Sequence, residues 1–256
     1  MTLSYDHVAG DGPAVVLLHA GVCDRRMWDP QWPALSAAGY RLVRCDLRGF
    51  GATPAPDRPH NDAEDVRDLL DALGIERAVL VASSFGGRVA LEVAARWPER
   101  VGSMVLLSPA VDGHEPSAAL RAFGAREDEL LEAGDVAAAV ELNVDTWVGP
   151  EADETTRDAV HRMQRHAFDV QLAVTEEFGR IRHEADLSAV TAPTVVLSGA
   201  HDVADFRLMA AELPGRLKDA RHVELPWAGH LPSMERPAEV TDLLLGLLRE
   251  AAPAGA

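Results

Sequence analysis

Residues 82–87, Ala82-Ser83-Ser84-Phe85-Gly86-Gly87, give the clearest indication of the fold, because they join two segments of different periodicity. The apolar run Ala78-Val79-Leu80-Val81 directly before them predicts a buried strand, and the apolar-periodic residues 88–95 after them predict a helix. A turn of small residues between such elements brings the end of the strand close to the start of the helix. We therefore predict a strand, a sharp turn and a helix over residues 78–95.

Ser84 stands at the centre of this turn and is the candidate nucleophile. In the nucleophile elbow G-x-S-x-G, the positions two residues before and after the serine must be small so that strand and helix can approach. Ala82 and Gly86 occupy these positions, with alanine in place of the usual first glycine. The amide of Phe85, at the start of the predicted helix, can face a developing oxyanion. The turn alone is also compatible with a plain strand-to-helix connection, so the assignment depends on a base and an acid elsewhere in the chain.

A second oxyanion donor is predicted where the apolar run Val15–Leu18 ends in His19-Ala20-Gly21-Val22. Small residues after a buried strand leave backbone amides free for a ligand. The amide of Gly21 is the candidate donor, with that of Val22 as the alternative. His19 precedes the nucleophile in the chain, so we assign it a structural, hydrogen-bonded role.

The general base is assigned to His230. A serine nucleophile needs a base to remove its proton, and on a sheet of this kind the chain order is serine, acid, histidine. Two histidines lie near the last predicted strand, Arg221–Leu225. His222 lies within that strand, whereas His230 follows Gly229 in the loop after it.

The acid is assigned to Asp202, which directly follows the predicted strand Thr194–Leu197. A carboxylate here fixes the tautomer of the histidine and stabilises the imidazolium. Asp112, after the predicted strand Ser103–Leu107, is the main alternative, and Asp205 is a lesser one. Asp202 is preferred because its turn is short and its position is therefore well defined.

Composition and charge restrict the possible partners. The chain has 256 residues, 47% of them hydrophobic, which is enough for one large α/β domain whose core needs neither disulfides nor metal. Its net charge of −17 argues against nucleic acid or an anionic membrane as a partner. Cys23 and Cys45 form no disulfide framework, and with no leader or membrane-spanning stretch they indicate a cytoplasmic protein. Its oligomeric state stays open.

The order of predicted elements in the first half of the chain favours a largely parallel sheet covered by helices on both faces. Leu3–Val8 and Val15–Leu18, with a turn between them, suggest a hairpin that enters the sheet. A helix over Met27–Ala38, a strand over Arg41–Cys45 and a helix over Asn61–Leu73 follow. Functional loops are then expected at the carboxyl ends of the strands, where Ser84 also falls.

Residues 113–186 interrupt this alternation and predict a helical lid inserted into the core, which comprises residues 1–112 and 187–256. No convincing buried strand occurs in this insertion, and the predicted helices are Ala118–Phe123, Glu127–Glu132, Val136–Trp147 and Thr155–Phe178. Such a lid covers the carboxyl edge of the sheet and supplies the walls of a substrate pocket. The candidate substrate-binding residues are Val22, Trp147, Phe168 and Leu231.

Taken together, these segments resemble the α/β-hydrolase superfamily over essentially the full length of the chain. The segments that carry the resemblance are His19-Ala20-Gly21, Asp46-Leu47-Arg48-Gly49-Phe50-Gly51, residues 82–87, Gly199-Ala200-His201-Asp202 and Gly229-His230-Leu231-Pro232-Ser233-Met234-Glu235-Arg236-Pro237. Ala20 and Ala82 replace two glycines of the family pattern, and neither change removes a backbone donor. The chain is most similar to small, lidded bacterial members such as enol-lactone hydrolases, carboxylesterases and cofactor-free haloperoxidase-like enzymes.

The resemblance and the ordered residues together imply a serine hydrolase of a small carboxylic ester or lactone. Ser84 would attack the carbonyl, His230 would move the proton, Asp202 would orient His230, and the amides of Gly21 and Phe85 would hold the oxyanion. Haloalkane dehalogenases of this fold carry aspartate at the nucleophile position, so the serine favours acyl transfer. No glycine-rich phosphate loop or metal cluster is present in the sequence, so we expect no cofactor and no metal. The alternatives are a C–C bond hydrolase or perhydrolase with the same triad, and a receptor-like protein that binds a ligand without turnover.

Overall fold

The computed structural model describes residues 3–174 and 178–251, and over these ranges the chain forms one seven-stranded sheet. The strands are β1 (Ser4–Val8), β2 (Ala14–Leu18), β3 (Arg41–Asp46), β4 (Ala78–Ser83), β5 (Val101–Leu107), β6 (Thr194–Gly199) and β7 (Ala220–Leu225). Their spatial order is β1-β3-β2-β4-β5-β6-β7. Every neighbouring pair is parallel except β1 and β3, which are antiparallel. The predicted mostly parallel sheet is therefore confirmed.

The N-terminal hairpin prediction is wrong, because β1 and β2 are not neighbours. Strand β3 lies between them, with Tyr5 opposite Cys45 on one side and Leu18 beside Cys45 on the other. The glycine-containing turn after β1 packs against the residues that lead into β3: Gly12 N–H donates to the carbonyl of Gly39 over 3.0 Å. Local turn signals could not reveal this, since the pairing depends on a strand about 30 residues later in the chain.

The helices are α1 (Trp32–Ala37), α2 (Asp62–Ala72), α3 (Phe85–Arg96), α4 (Ala118–Glu132), α5 (Val136–Trp147), α6 (Glu154–Leu172), α7 (Ala204–Glu212), α8 (Pro232–Glu235) and α9 (Pro237–Ala251). Helix α3 packs on β4 and β5, α7 packs on β6, and α9 packs on β5. Helix α2 begins as predicted, because the Asn61 side chain accepts a hydrogen bond from Glu64 N–H. None of the described helices is long and apolar enough to cross a membrane.

The helix predicted over Met27–Ala38 is interrupted. A short 3₁₀ segment, Arg25–Trp28, is followed by a turn and then by α1, which begins at Trp32. Pro30 lies in the turn, and a proline supplies no N–H for a helical hydrogen bond. Met27 and Trp28 are nevertheless fully buried, so the apolar pattern correctly marked the core but did not mark the break.

Between β5 and β6 the described chain is mostly helical. Helix α4 joins the two segments predicted at Ala118–Phe123 and Glu127–Glu132, and α5 has the predicted bounds. The helix predicted over Thr155–Phe178 ends at Leu172, and residues 175–177 lie outside the described residues. Helices α4 and α5 pack on each other, as do α5 and α6.

Candidate active site

Ser84 occupies a strained turn between β4 and α3. Its φ of 50° and ψ of −112° lie outside the regions that residues other than glycine usually adopt. Small neighbours make the turn possible: a Cβ at Gly86 would lie 2.7 Å from the carbonyl oxygen of Leu18, and one at Gly87 would lie 2.7 Å from Pro109 Cβ. The turn has the features of a nucleophile elbow, in which the serine hydroxyl is presented at the edge of the sheet.

A continuous chain of hydrogen bonds joins the three residues predicted to act together. His230 Nε2 lies 2.8 Å from Ser84 Oγ, and His230 Nδ1 lies 2.9 Å and 3.0 Å from the two carboxylate oxygens of Asp202. All three residues are buried, and only 3% of the His230 surface is exposed. When Nδ1 carries the proton, it donates to Asp202 and leaves Nε2 free to accept from the serine hydroxyl. This arrangement can activate Ser84 for attack on a carbonyl.

The loops that carry Asp202 and His230 are held against each other by backbone contacts. The N–H of Ala200 donates to the carbonyl of Leu225, and that of His201 donates to the carbonyl of Ala228, each over 2.9 Å. Gly199 permits this approach, since a Cβ there would lie 2.1 Å from the carbonyl oxygen of Gly229. The separation of acid and base is therefore set by the backbone.

Glu235 holds the histidine loop from beneath. Its two carboxylate oxygens accept the N–H groups of Gly229 over 2.7 Å and of Leu231 over 2.9 Å, one on each side of His230. Burial raises the pKa of the Glu235 carboxyl, although these backbone hydrogen bonds oppose the shift. Gly149, just after α5, packs closely here, because a Cβ there would lie 2.2 Å from a Glu235 oxygen. From the sequence, Glu235 is recognisable only as part of the segment Gly229–Pro237, and its role beneath His230 is evident only from the structure.

The amides of Gly21 and Phe85 are the predicted oxyanion donors. Neither N–H has a hydrogen-bond partner within the described part of the chain. The two residues are close, since a Cβ at Gly21 would lie 3.6 Å from Phe85 Cβ. Ala20 and Ala82 are completely buried and neither has a positive φ, so alanine is accommodated at both positions.

The rival histidines and aspartates have other partners. His19 is buried; its ring nitrogens lie 2.8 Å from the carbonyl of Ala20 and 3.0 Å from the N–H of Leu47. His222 Nε2 lies 2.8 Å from Ser198 Oγ. Asp112 lies 3.8 Å from Arg88.

Asp205, the lesser alternative for the acid, joins α7 to the start of α4. Its carboxylate accepts from the N–H of Ser117 over 2.7 Å and from the Ser117 hydroxyl over 2.6 Å, and it lies 2.9 Å from His114 Nε2. Burial opposes the charged form, but these hydrogen bonds outweigh it and lower the pKa of Asp205 to about 2. Asp205 therefore has a structural role: from α7 it holds the N-terminus of α4.

A cavity of about 240 Å³ opens onto Ser84 and His230. Its apolar lining includes Val22, Phe50, Phe123, Trp147, Phe168 and Phe206. Three of the four predicted substrate-binding residues, Val22, Trp147 and Phe168, are thus part of the lining. Leu231 is not among the described lining residues; its side chain is completely buried, and its N–H donates to Glu235.

Two aromatic rings cover the imidazole of His230. The ring centroid of Trp147 lies 4.7 Å from that of His230, and the ring of Phe206 packs edge-on at 4.4 Å. They limit access of water to the imidazole, which strengthens its electrostatic interaction with Asp202. Phe206 is not among the predicted site residues, because its contact depends on how α7 packs beside the site.

Polar side chains from the helices between β5 and β6 complete the lining, and none of them is among the predicted site residues. Gln171 on α6 is one, and its Nε2 donates to the carbonyl of Gly49 over 3.1 Å. The others are Glu127 on α4, Asn143 on α5 and Gln164 on α6, and we call these three the helix-borne polar group. Each lies four residues from an aromatic residue of the same lining, in the pairs Phe123 and Glu127, Asn143 and Trp147, Gln164 and Phe168. Residues four apart share one face of a helix, so this spacing is the signal that could have found them.

Comparisons with known proteins agree with this fold. The model of the family described as "Alpha/beta hydrolase family" matches residues 15–243. A relative from Variovorax paradoxus, named "Putative carbamate hydrolase RutD", is 33% identical over 99% of this chain and 98% of its own length. The crystal structure of an enol-lactonase from Burkholderia xenovorans is 27% identical, covers 96% of each chain and superposes with a TM-score of 0.78. A hydrolase from Pseudomonas aeruginosa is 28% identical with the same TM-score, over 96% of this chain and 94% of its own.

Proposed function

Because the chain belongs to the alpha/beta hydrolase family, we propose that it is a serine hydrolase that cleaves a small carboxylic ester or lactone. The single observation that supports this most strongly is the hydrogen-bonded series Ser84, His230, Asp202, of which Ser84 and His230 line the cavity. The α/β fold and the named hydrolases among its relatives are consistent with acyl transfer.

In the first half of the proposed reaction, Ser84 Oγ attacks the substrate carbonyl carbon while His230 Nε2 takes the hydroxyl proton. Negative charge develops on the carbonyl oxygen, and the unpaired amides of Gly21 and Phe85 donate to it. Asp202 keeps His230 Nδ1 protonated and stabilises the imidazolium. The protonated His230 then gives its proton to the leaving alcohol, which departs and leaves an acyl group on Ser84.

In the second half, water attacks the acyl group with His230 as the base, and the carboxylic acid product leaves Ser84 free. We propose that α4, α5 and α6, within the predicted lid of residues 113–186, cover this site and exclude bulk water. Three aromatic residues of the lining, Phe123, Trp147 and Phe168, come from these helices and support this role. Exclusion of water strengthens the interactions of the oxyanion with its donors.

A carbamate is a second candidate substrate. The observation that favours it is the 33% identity to the relative named as a carbamate hydrolase, which extends over nearly the whole of both chains. A carbamate has an ester-like carbonyl, so the same three residues would perform the same attack and proton transfer. Comparing the hydrolysis rates of an ester and a carbamate of the same alcohol would show which of the two substrate classes the chain prefers.

The test is hydrolysis of 4-nitrophenyl acetate and phenyl acetate by the wild-type chain and by Ser84→Ala. We expect Ser84→Ala to lower kcat by about 10⁶-fold, because no nucleophile remains. Ser83→Ala is the matched control: the neighbouring hydroxyl is completely buried and has no hydrogen-bond partner among the described residues, so its loss should leave the rate within about twofold of wild type.

Unchanged ester turnover in a folded Ser84→Ala variant would refute the assignment of the nucleophile. If the wild-type chain cleaves a β-diketone faster than these esters, the C–C hydrolase alternative is correct instead. If it turns over neither while binding a ligand, the receptor-like alternative applies.

A further inference from the structure

Gln164 is a buried polar side chain that has no partner among the described residues. Only 4% of its surface is exposed, and neither its amide oxygen nor its amide nitrogen has a hydrogen-bond partner within the described residues. Buried amides are nearly always paired, because an unpaired one costs the full free energy of desolvation. Since Gln164 also lines the cavity beside Ser84, a bound molecule is the natural partner for this amide.

Glu127 and Asn143 hold a second polar group at the same cavity. Asn143 Nδ2 donates to Glu127 Oε1 over 2.5 Å and to the carbonyl of Ala139 over 3.0 Å, while its oxygen accepts from Trp147 Nε1 over 3.1 Å. Asn143 is therefore fully used in fixing its neighbours. The second carboxylate oxygen of Glu127 has no partner in the described part of the chain, so it can accept a hydrogen bond from a ligand.

Among the described residues, the cavity lining contains an acidic side chain but no arginine or lysine. The acidic side chain is that of Glu127. An adjoining cavity, which shares Phe50 with this one, does contain arginines. Those side chains have carboxylate partners: Arg48 pairs with Asp65 and Arg180 pairs with Asp62. A substrate carboxylate would thus meet an acidic residue and no free cation, whereas a neutral group with an N–H would meet hydrogen-bond acceptors.

We propose that this cavity selects esters or lactones that carry a neutral amide group, and that Gln164 and Glu127 determine this specificity. An amide supplies both an N–H and a carbonyl, which match the free oxygen and nitrogen of the Gln164 side chain. A second N–H of the substrate is accepted by Glu127, which also repels substrate carboxylates. The identification of the substrate as an ester or lactone rests on the proposed function; the recognition of the amide does not.

The test uses two pairs of compounds that differ only in an N–H replaced by CH₂. The pair with the amide on the acyl side is methyl N-acetylglycinate and methyl 4-oxopentanoate. The pair with the amide on the alcohol side is 2-acetamidoethyl acetate and 4-oxopentyl acetate. Binding is measured by ligand-observed NMR titration of the full chain carrying Ser84→Ala, so that no compound is turned over. Monomethyl succinate serves as the carboxylate probe.

We expect the N–H compound of at least one pair to bind about tenfold more tightly than its CH₂ partner, as one additional hydrogen bond predicts. Gln164→Leu, added to Ser84→Ala, should reduce this preference to within about twofold. Monomethyl succinate should bind at least about tenfold more weakly than methyl N-acetylglycinate, and Glu127→Gln should narrow that difference. Glu129→Gln is the matched control, since this exposed residue on the same helix pairs with Arg126 and should change neither ratio.

Equal binding within both pairs would overturn the proposal, and so would a preference that persists in a folded Gln164→Leu variant. Equal binding of the succinate ester would overturn the role of Glu127. Thermal unfolding of each variant checks the fold, and Gln164→Met replaces Gln164→Leu if the latter does not fold. Turnover of phenyl acetate and of the four paired esters by the wild-type chain is measured in parallel. Turnover without amide preference refutes this proposal alone, whereas amide preference without turnover of any of these esters refutes the proposed function alone.

Discussion

Two sets of polar side chains meet at the cavity, and they differ in how completely the protein satisfies them. In the catalytic set, Ser84, His230 and Asp202 are hydrogen-bonded to one another, and Glu235 fixes the histidine loop. In the helix-borne polar group, Asn143 is fully paired but Gln164 has no partner among the described residues. Hydrogen bonds within the first set fix the relative positions of the groups proposed to react. An unpaired amide in the second set can form hydrogen bonds with a ligand instead.

The two sets also come from different parts of the fold. The catalytic residues follow β4 and β6 or lie in the loop after β7, at the carboxyl edge of one sheet. The helix-borne polar group comes from three successive helices between β5 and β6. In the two proposals above, chemistry resides on the sheet and specificity on the helices, so changes to the two sets should have separable effects.

The largest effect should follow from removal of the charge on the catalytic acid. We expect Asp202→Asn to lower kcat for phenyl acetate by about 10⁴-fold, because the amide no longer fixes the productive tautomer of His230. Steady-state kinetics of the purified variant provides the measurement. Asp112→Asn is the matched control and should retain nearly full activity. A larger loss in Asp112→Asn than in Asp202→Asn would identify Asp112 as the acid.

A smaller effect, this time on stability, should follow from loss of the support beneath His230. Glu235→Ala leaves the buried N–H groups of Gly229 and Leu231 without acceptors, so the free energy of unfolding should fall by about 2 kcal/mol. Glu235→Gln keeps one acceptor and should lose less. Urea unfolding followed by circular dichroism measures both. Wild-type stability of Glu235→Ala would show that the histidine loop does not depend on this carboxylate.

The smallest effect should have the opposite sign. Replacing the unpaired Gln164 by leucine removes an unsatisfied buried amide, so Gln164→Leu should raise the free energy of unfolding by about 1 kcal/mol. Asn143→Leu breaks the hydrogen bonds of a paired amide in the same group and should lower it by about 2 kcal/mol. The same urea titration compares them. Equal destabilisation by the two variants would mean that the Gln164 amide is hydrogen-bonded in the folded protein.

The difference between the two sets also explains which features the sequence could predict. Ser84, Asp202 and His230 each follow a predicted strand, and parallel strands bring their carboxyl ends to one edge, so chain order alone placed them together. Gln164 and Glu127 do not follow a predicted strand, so chain order gives no indication of their place. Their positions depend on how α4, α5 and α6 pack over the sheet, and a polar residue on a helix is usually exposed to solvent.

The errors within the fold have two origins. The insertion of β3 between β1 and β2 depends on contacts distant in sequence, whereas the break at Pro30 follows from a local signal, the proline itself, which the apolar pattern does not reflect. Leu231 directly follows His230 and is a predicted substrate-binding residue, but its side chain is completely buried and is not among the described residues that line the cavity. Proximity in sequence to a reactive residue does not determine which cavity a side chain lines.

The most direct test of the account is covalent labelling with a fluorophosphonate probe, followed by mass spectrometry of the modified peptide. Such probes react with a serine that a neighbouring base activates. We predict modification of Ser84 in the wild-type chain, its persistence in Ser83→Ala, and its loss in His230→Ala. Absence of labelling in a folded wild-type sample, or labelling of Ser84 that survives His230→Ala, would contradict the claim that His230 activates this serine.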